Sequence, residues 1–310
     1  LELYVIASNG SLIQDCQVEL DDEILSINST GSFSKKDIEI NTVKTISISD
    51  EDYYPYIDEY YFKNPGVDTV YAVMIPRNEY IKSNESRIQP ERMDDNYFAE
   101  RSSLSLQNTK LGDDFRNNIY LRDYDRFNSD EILIVNSKKD AIRVCTVNKS
   151  YDQGRKASIN WGEEENQSLN SPEGIYIDRN ETVYVADLGN HRVLVFDRYF
   201  NLINRIGEFG KKNTVGDFAR FIFPASIAVA NDQAGVEYNS ETRYRKDMIY
   251  VADMIGVHLV DNQGHYLDTI LSSADYSNLF SDVQVNGYGK GSKITVYDKK
   301  NKKLIHFNVQ

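Results

Sequence analysis

The chain has 310 residues, with 35 Lys or Arg against 48 Asp or Glu, so its formal net charge is −13. This charge disfavours nucleic acid and anionic membrane surfaces as partners, because both attract clustered basic residues. No run approaches the ~18 consecutive apolar residues that a membrane-spanning helix needs. The two cysteines are too few for a disulfide scaffold or a CxxC zinc site.

The N-terminal part is predicted to consist of short strands. Residues 12–20, 23–28 and 33–40 are each interpreted as a strand, and Thr30-Gly31 is suited to a hairpin turn between the last two. The division of this part stays open. Either it contributes the first unit of the repeat described below, or residues 1–45 form a separate small β segment.

Residues 50–62 are unusually rich in tyrosine and in acid. Five carboxylates alternate with five tyrosines, namely Tyr53, Tyr54, Tyr56, Tyr60 and Tyr61. Tyrosine is enriched at protein interfaces because it offers rigid apolar area together with a hydroxyl. We therefore predict a binding loop for a basic partner. The other interpretation is an edge strand whose rings pack under neighbouring loops.

The clearest repeat unit spans residues 172–207 and contains four predicted strands separated by turns. The unit recurs over 224–270, and the tetrapeptide Tyr-Val-Ala-Asp stands in both copies, at 184–187 and 250–253. Weaker copies of its central strands are found at 3–7, 70–73, 131–145 and 293–307. Two insertions interrupt the pattern, at about 76–117, with a short predicted helix over 94–106, and at 230–247.

A four-stranded unit alone has faces that it cannot cover, and packing such units around an axis buries them. Six copies of a unit of roughly 40–45 residues, together with the insertions, fit the length of the chain. The sequence thus predicts an all-β fold, a six-bladed β-propeller of four-stranded antiparallel blades spanning 1–310 as a single domain. The chain ends on a third-type strand, so an N-terminal strand, within 1–8 or 11–20, is expected to close the ring.

One stretch resembles a known family closely. Its first part runs Pro172-Glu173-Gly174-Ile175, and its second part runs Tyr184-Val185-Ala186-Asp187-Leu188-Gly189-Asn190-His191-Arg192-Val193. These residues resemble the NHL repeat, which is found in six-bladed β-propellers. The resemblance implies that Asp187 and Arg192 brace the blade. The copy at 250–258 retains Asp253 but has Val257 and His258 in place of the usual Asn-x-Arg. Fold is implied strongly and function weakly.

His191 is a candidate binding residue, because it lies in a predicted turn between the second and third strands, where propeller loops often bind ligands. Among proteins with propellers of this kind, the peptidyl-amidating lyases build a zinc site from several histidines. The four histidines here fall in three different units, which favours structural or surface roles for them. The sequence contains no set of histidines that matches such a zinc site.

Calcium-dependent lactonases are another class of propeller enzyme. Glu173 and Asp282 lie close to predicted inner strands, where carboxylates could help hold Ca²⁺, an ion that takes six to eight oxygen ligands. They are weak candidates, because two such acids are expected by chance in so acidic a chain. No resident cofactor is predicted.

Some NHL propellers bind single-stranded RNA through a basic face with aromatic stacking. The cluster Arg243-Tyr244-Arg245-Lys246 is too small for such a face in a chain of charge −13, and a solvated loop is the favoured interpretation.

The sequence therefore favours a non-enzymatic scaffold that binds a protein, or a polysaccharide, through its loop face. The alternative is a divalent-metal-dependent hydrolase or lyase with its site at the central channel. The acidic, cysteine-poor composition favours a periplasmic, cell-envelope or secreted bacterial protein, with a cytoplasmic location left open. Nothing in the sequence indicates an oligomeric state.

Overall fold

A computed structural model describes residues 1–7, 10–63, 65–87, 106, 108–162, 167–231, 236–238, 242–244, 246–273, 275 and 277–310. Within these ranges the protein is almost entirely β-structure. The helix predicted over 94–106 lies outside the described residues except for Leu106, and parts of both predicted insertions do so too. No helix in the described ranges is long and apolar enough to cross a membrane.

The N-terminal region forms two sheets. Its strands are β1 (Glu2–Ala7), β2 (Gln17–Leu20), β3 (Glu23–Ile24), β4 (Phe33–Ser34), β5 (Thr42–Ser49), β6 (Tyr56–Phe62) and β7 (Thr69–Met74). Sheet N1 has the order β4-β1-β7, with β1 and β7 parallel, and sheet N2 has the order β3-β2-β5-β6. The two sheets share one hydrophobic cluster that includes Leu3, Val18 and Ile46.

The next elements lead into a regular four-stranded sheet. They are β8 (Tyr80–Lys82), β9 (Ser86–Arg87), helix α1 (Lys110–Asn117), β10 (Leu121–Arg126), β11 (Glu131–Asn136), β12 (Ala141–Thr146), a 3-10 helix (Tyr151–Gln153) and β13 (Arg155–Lys156). Strands β10 to β13 pair antiparallel in chain order and form blade A.

Blade B has the same design and contains the best copy of the repeat. Its elements are β14 (Pro172–Ile177), β15 (Val183–Asp187), a 3-10 helix (Leu188–Asn190), β16 (Arg192–Phe196) and β17 (Leu202–Ile206). These four strands also pair antiparallel in chain order.

Blades C and D complete the series. The remaining strands are β18 (Glu208–Phe209), β19 (Arg220–Phe221), β20 (Ser226–Ala230), β21 (Val236–Tyr238), β22 (Thr242–Tyr244), β23 (Met248–Ala252), β24 (Gly256–Asp261), β25 (Tyr266–Ser272), β26 (Phe280–Asn286), β27 (Lys293–Asp298) and β28 (Lys303–Val309). Blade C has the order β20-β23-β24-β25, and β21 and β22 form a separate hairpin inserted after its first strand. Blade D has the order β26-β27-β28-β8.

The blades pack face to face through alternate residues of each strand. In β15, Val183 and Val185 belong to a cluster shared with blade A, whereas Tyr184 and Ala186 belong to a cluster shared with blade C. A third cluster joins blades C and D. Successive side chains of a strand point to opposite faces, so a strand covered on both faces must be apolar throughout. This explains why β15, which is buried at every position, has no charged residue before Asp187 at its end.

The innermost strands β10, β14, β20 and β26 lie side by side in chain order. Acidic side chains link them: the Asp123 carboxylate accepts the Ile175 N–H at 3.0 Å, and Asp125 accepts the Ile177 N–H at 2.7 Å. The predicted all-β fold of four-stranded antiparallel blades is confirmed. The count of six blades stays a prediction.

The fourth strand of blade D differs from the expectation, and closure of the ring stays a prediction. Strand β8, not residues 1–8 or 11–20, takes the fourth place in blade D, with Lys82 opposite Phe307 and Tyr80 opposite Val309. Strand β1 lies instead in sheet N1, where most of its residues are buried. An outer strand needs a solvent-exposed face, which the largely exposed β8 provides and the apolar β1 does not.

Candidate binding surface

A buried ion pair braces the turn between the second and third strands of blade B. Asp187 is fully buried, and its Oδ2 accepts a hydrogen bond from Arg192 Nε at 2.8 Å. The Asn190 side chain donates to the same oxygen, while Asp187 Oδ1 accepts the backbone N–H of Asn170. Arg192 also donates to Gln167 Oε1 and to the Ser168 carbonyl. The pair therefore ties the turn to the segment that enters the blade.

Blade C has a brace of the same form with a different base. Asp253 is fully buried and faces His258, with Oδ1 and Nε2 at 3.2 Å. The same carboxylate accepts three backbone N–H groups, from Ile222, Ile255 and Gly256. The departure from Asn-x-Arg thus leaves the acidic half of the brace in place, and an imidazole stands where blade B has a guanidinium.

Blade D contains a further copy of the motif, which we did not predict from the sequence. Asp298 is buried, and it accepts the Leu279, Lys300 and Asn301 N–H groups as well as the Asn301 side chain at 2.6 Å. The signal was present as Asp298-x-x-Asn301-x-Lys303, which has the spacing of the blade B residues with Lys in place of Arg.

Between the first two braces lies an exposed aromatic surface made of His191, Phe209 and Phe223. The His191 ring is flanked by the Phe209 and Phe223 rings, each with its centroid 4.6 Å away. Phe209 is 65% exposed and Phe223 is 41% exposed. We call these three residues the aromatic surface. Because large apolar side chains grouped at the surface mark interaction sites, this surface is the candidate binding site.

The backbone at this surface is strained. His191 has φ +57° and Phe223 has φ +55°, the left-handed region that bulky L-residues rarely adopt. His191 Nδ1 accepts the Phe223 N–H at 3.2 Å, which requires that nitrogen to be unprotonated. Burial lowers the pKa of His191, although the Asp253 carboxylate opposes this shift. Strained residues persist only where the surrounding structure holds them, and they cluster at functional sites.

The two braces hold the two halves of the aromatic surface. His191 lies directly between Asn190 and Arg192 of the blade B brace. Phe223 follows Ile222, whose N–H is bound by Asp253 of the blade C brace at 2.7 Å. The conformation of the surface therefore depends on polar contacts inside both blades.

Half of the tyrosine-rich segment forms a strand rather than the predicted loop. Tyr56, Tyr60 and Tyr61 lie in β6, the edge strand of sheet N2, and Tyr54 and Tyr56 are buried. Only Tyr61 of the five is classed as exposed, at 52%, while Tyr53 and Tyr60 are half-buried. The burial of Tyr54 and Tyr56 contradicts the predicted interface role for these two residues. Tyr56 lies in the edge strand, as the other interpretation has it, whereas Tyr54 precedes that strand. A binding role for Tyr53, Tyr60 and Tyr61 stays a prediction.

The physical reason is the packing of sheet N2 against blade C. The Tyr54 hydroxyl donates to Asp268 at 3.0 Å, and the Tyr56 hydroxyl donates to Asp58 at 2.9 Å. Burial is the main cause that raises the pKa of both phenols, and the neighbouring carboxylates add to it. Buried tyrosine hydroxyls need such partners, so acids alternate with rings here for internal satisfaction.

Lys246, predicted to lie in a solvated basic loop, is also buried in this contact. Its Nζ lies 3.2 Å from Asp261 Oδ2 and 4.8 Å from the centre of the Tyr56 ring. Burial raises the pKa of Asp261, but Lys246 and His265 outweigh it, and the pKa is lowered overall. Arg245, in the same predicted cluster, lies outside the described residues. Lys246 therefore stabilises the fold, and its charge is paired with Asp261 rather than available to a nucleic acid.

The two weak metal candidates are each engaged separately. Glu173 Oε1 lies 3.3 Å from Arg122 Nε, and burial raises the pKa of Glu173 although Arg122 and Lys299 oppose the shift. Asp282 accepts the Ser226 hydroxyl at 2.7 Å. Within the described ranges, no group of three or more His, Cys, Asp or Glu side chains is placed to hold a metal ion. Calcium binding stays a prediction that elemental analysis of the purified protein would check.

The in-order antiparallel sheets and their adjacent inner strands define a β-propeller protein. The family model of the NHL repeat matches residues 169–196, which covers β14 to β16 of blade B. The chain is thus a β-propeller protein that carries an NHL repeat. No curated protein matches the chain.

Solved structures resemble it at low identity. Virginiamycin B lyase from Staphylococcus aureus is 11% identical, with 92% of this chain and 87% of that chain covered and a TM-score of 0.37. A protein of unknown function from Bacteroides thetaiotaomicron is 10% identical over 96% and 91%, with a TM-score of 0.35. A gluconolactonase from Xanthomonas campestris is 10% identical over 61% and 72%, with a TM-score of 0.31. Similarity at this level shows nothing about activity.

Sequence reasoning singled out His191 but missed Phe209 and Phe223. Neither phenylalanine belongs to an alternating strand pattern, because Phe209 ends the two-residue strand β18 and Phe223 lies in the link before β20. The only sequence signal was their position beside repeat units, Phe209 just after 172–207 and Phe223 just before 224–270. Their exposure results from how blades B and C meet.

Proposed function

We propose that this propeller is a non-enzymatic binding protein that docks a protein partner through the aromatic surface. One observation carries the proposal: two exposed phenylalanines flank a histidine, and two of these three residues are held in a left-handed backbone conformation. Exposed aromatic side chains held rigidly lose little entropy on binding, which makes them effective anchors.

The charge of the chain favours a partner of opposite sign. A net charge of −13 attracts a basic protein over distances of several ångströms and raises the rate of encounter, whereas the aromatic contact supplies the affinity. The proposal includes a location in the cell envelope or outside the cell, which the acidic, cysteine-poor composition favours over the cytoplasm.

Site-directed photo-crosslinking would test this function. A photoreactive amino acid is placed at position 209, and in a second protein at position 43, because Val43 is an equally accessible apolar residue of sheet N2, at 55% exposure. We expect a partner that crosslinks from position 209 and not from position 43. That partner is then purified for binding measurements.

The affinity of this partner is measured for wild type, Phe209→Ser, Phe223→Gly and Val43→Ser. Loss of a central aromatic anchor costs about 2 kcal/mol, or roughly 30-fold in Kd. We expect this loss for both phenylalanine variants and none for Val43→Ser. Equal binding by all four proteins would show that the aromatic surface is not the docking site.

A further inference from the structure

A cleft separate from the aromatic surface lies where blade A meets the entry to blade B. Its volume is about 380 Å³, within the ~300–1,000 Å³ typical of small-molecule sites. Apolar residues of β12 and the following segment form part of its lining. The polar and aromatic lining consists of Asp140, Lys156, Ser158, Trp161, Gln167 and Ser168. Trp161 is the only tryptophan of the chain.

The tryptophan is held against blade B. Its ring meets the buried Phe196 ring edge to face, with centroids 6.0 Å apart and an interplanar angle of 74°. The preceding residue, Asn160, exchanges backbone hydrogen bonds with Phe200 and Leu202 of blade B, both at 2.9 Å. A ligand that stacks on this ring therefore meets a surface that is already ordered.

Another part of the lining is fixed by the blade B brace. Arg192 Nη1 donates to Gln167 Oε1 at 2.7 Å, and Nη2 donates to the Ser168 carbonyl at 3.1 Å. Because the Gln167 oxygen is occupied by the guanidinium, its amide nitrogen is the end that can donate to a ligand. Asp140 is fixed in a similar way, since its Oδ1 accepts the Ser171 N–H at 2.7 Å.

The chemistry of this lining selects a neutral ligand rich in hydroxyl groups. Among the lining residues that the structure describes, one carboxylate, Asp140, and one ammonium, Lys156, balance each other, so these residues favour neither an anion nor a cation. Hydroxyl groups of Ser158 and Ser168 both donate and accept, as sugar hydroxyls do, and a flat indole suits the apolar face of a sugar ring. We infer that the cleft binds a neutral saccharide of one to a few residues, stacked on Trp161.

The single tryptophan provides a direct test. Its fluorescence, excited where tyrosine does not absorb, is followed while short neutral gluco-, xylo-, manno- and chitooligosaccharides are added to the full chain. An oligogalacturonate, which is anionic, and free lysine, which is cationic, serve as charged probes. We expect a saturable change in emission with at least one neutral oligosaccharide and none with the charged probes. No change with any neutral probe by fluorescence or calorimetry would overturn the inference.

The position of the sugar site is tested with variants whose affinity is measured by calorimetry, because this measurement does not depend on tryptophan fluorescence. We expect Trp161→Ala to weaken binding of the responding oligosaccharide by about tenfold or more, and Trp161→Phe to weaken it less, because a smaller ring remains. Phe209→Ala is the matched control, since it removes an aromatic ring from the aromatic surface only, and it should bind the sugar like wild type. Thermal unfolding confirms that each variant is folded. Unchanged affinity in folded Trp161→Ala, or a loss equal to it in Phe209→Ala, would place the sugar elsewhere.

Discussion

Blades B and C hold the same turn with different bases, Arg192 in one and His258 in the other. Both Asp187 and Asp253 are fully buried and both accept a backbone N–H from the segment that enters the blade. The two carboxylates differ in the remaining groups that donate hydrogen bonds to them. Asp253 is bound by three backbone N–H groups, whereas Asp187 accepts one and relies on the side chains of Asn190 and Arg192. Both blades therefore keep a buried aspartate at this turn. The blade with fewer backbone N–H donors to the aspartate has an arginine beside it, and the blade with more has a histidine.

This difference predicts that the base matters more in blade B. Arg192→Leu leaves Asp187 buried without its charged partner and also frees Gln167 and Ser168. Breaking a buried pair in this way costs about 3–5 kcal/mol of unfolding free energy. Chemical denaturation followed by tyrosine and tryptophan signals measures it.

Arg155→Leu is the matched control, because Arg155 is exposed and its nearest acid, Glu131, lies 3.8 Å away. An exposed pair contributes little, and we expect a change within about 0.5 kcal/mol. A loss in Arg192→Leu no larger than in the control would mean that the brace does not stabilise blade B.

In blade C the corresponding change is smaller. His258→Leu removes the imidazole, but the Asp253 carboxylate keeps its three backbone donors, and we expect a cost of about 1–2 kcal/mol for the lost hydrogen bonds. Denaturation under the conditions used for Arg192→Leu compares the two directly. Equal losses in the two blades would contradict the view that backbone donors substitute for the base.

The pH dependence tests the contact between the two halves of the aromatic surface. The pKa of His191 is lowered by burial, so the neutral ring is the form that the folded state favours. Its contribution to stability is complete above the ordinary histidine pKa of about 6.5 and is lost as the pH falls through the lower folded value. We expect the stability difference between wild type and His191→Gln to shrink as the pH falls from about 7 to about 5. A difference that is independent of pH would show that Nδ1 does not accept the Phe223 N–H.

The blades were predictable from the sequence because their order is local. The Tyr-Val-Ala-Asp copies and the Asp187-x-x-Asn190-x-Arg192 run lie within single units, where strand period and turn chemistry suffice. The burial of Tyr54 and Tyr56 depends on sheet N2 meeting blade C, which involves residues about 200 positions away, such as Asp268. No pattern within residues 50–62 carries that information.

The fourth strand of blade D and the aromatic surface were not predicted from the sequence, for the same reason. Strand β8 has three residues, too few for a period, and its place is set by the unpaired edge of β28. Phe209 and Phe223 are brought to His191 by the packing of blades B and C. Sequence patterns identify the strands, whereas contacts between blades select the residues that remain exposed.

The smallest expected effect on stability separates a functional phenylalanine from a structural one. Phe200 and Phe223 both adopt a left-handed backbone, with φ +64° and +55°, but Phe200 is 4% exposed and packs near Phe127. Glycine relieves about 1 kcal/mol of backbone strain at either site and loses about as much through the freer unfolded chain. Because Phe223 is only partly buried, we expect Phe223→Gly to lower the unfolding free energy by no more than about 1 kcal/mol, while Phe200→Gly loses about 3–5 kcal/mol of core packing. Thermal and chemical denaturation measure both. If Phe223→Gly destabilised the protein as much as Phe200→Gly, Phe223 would be a core residue, and its strained conformation would need no partner to explain it.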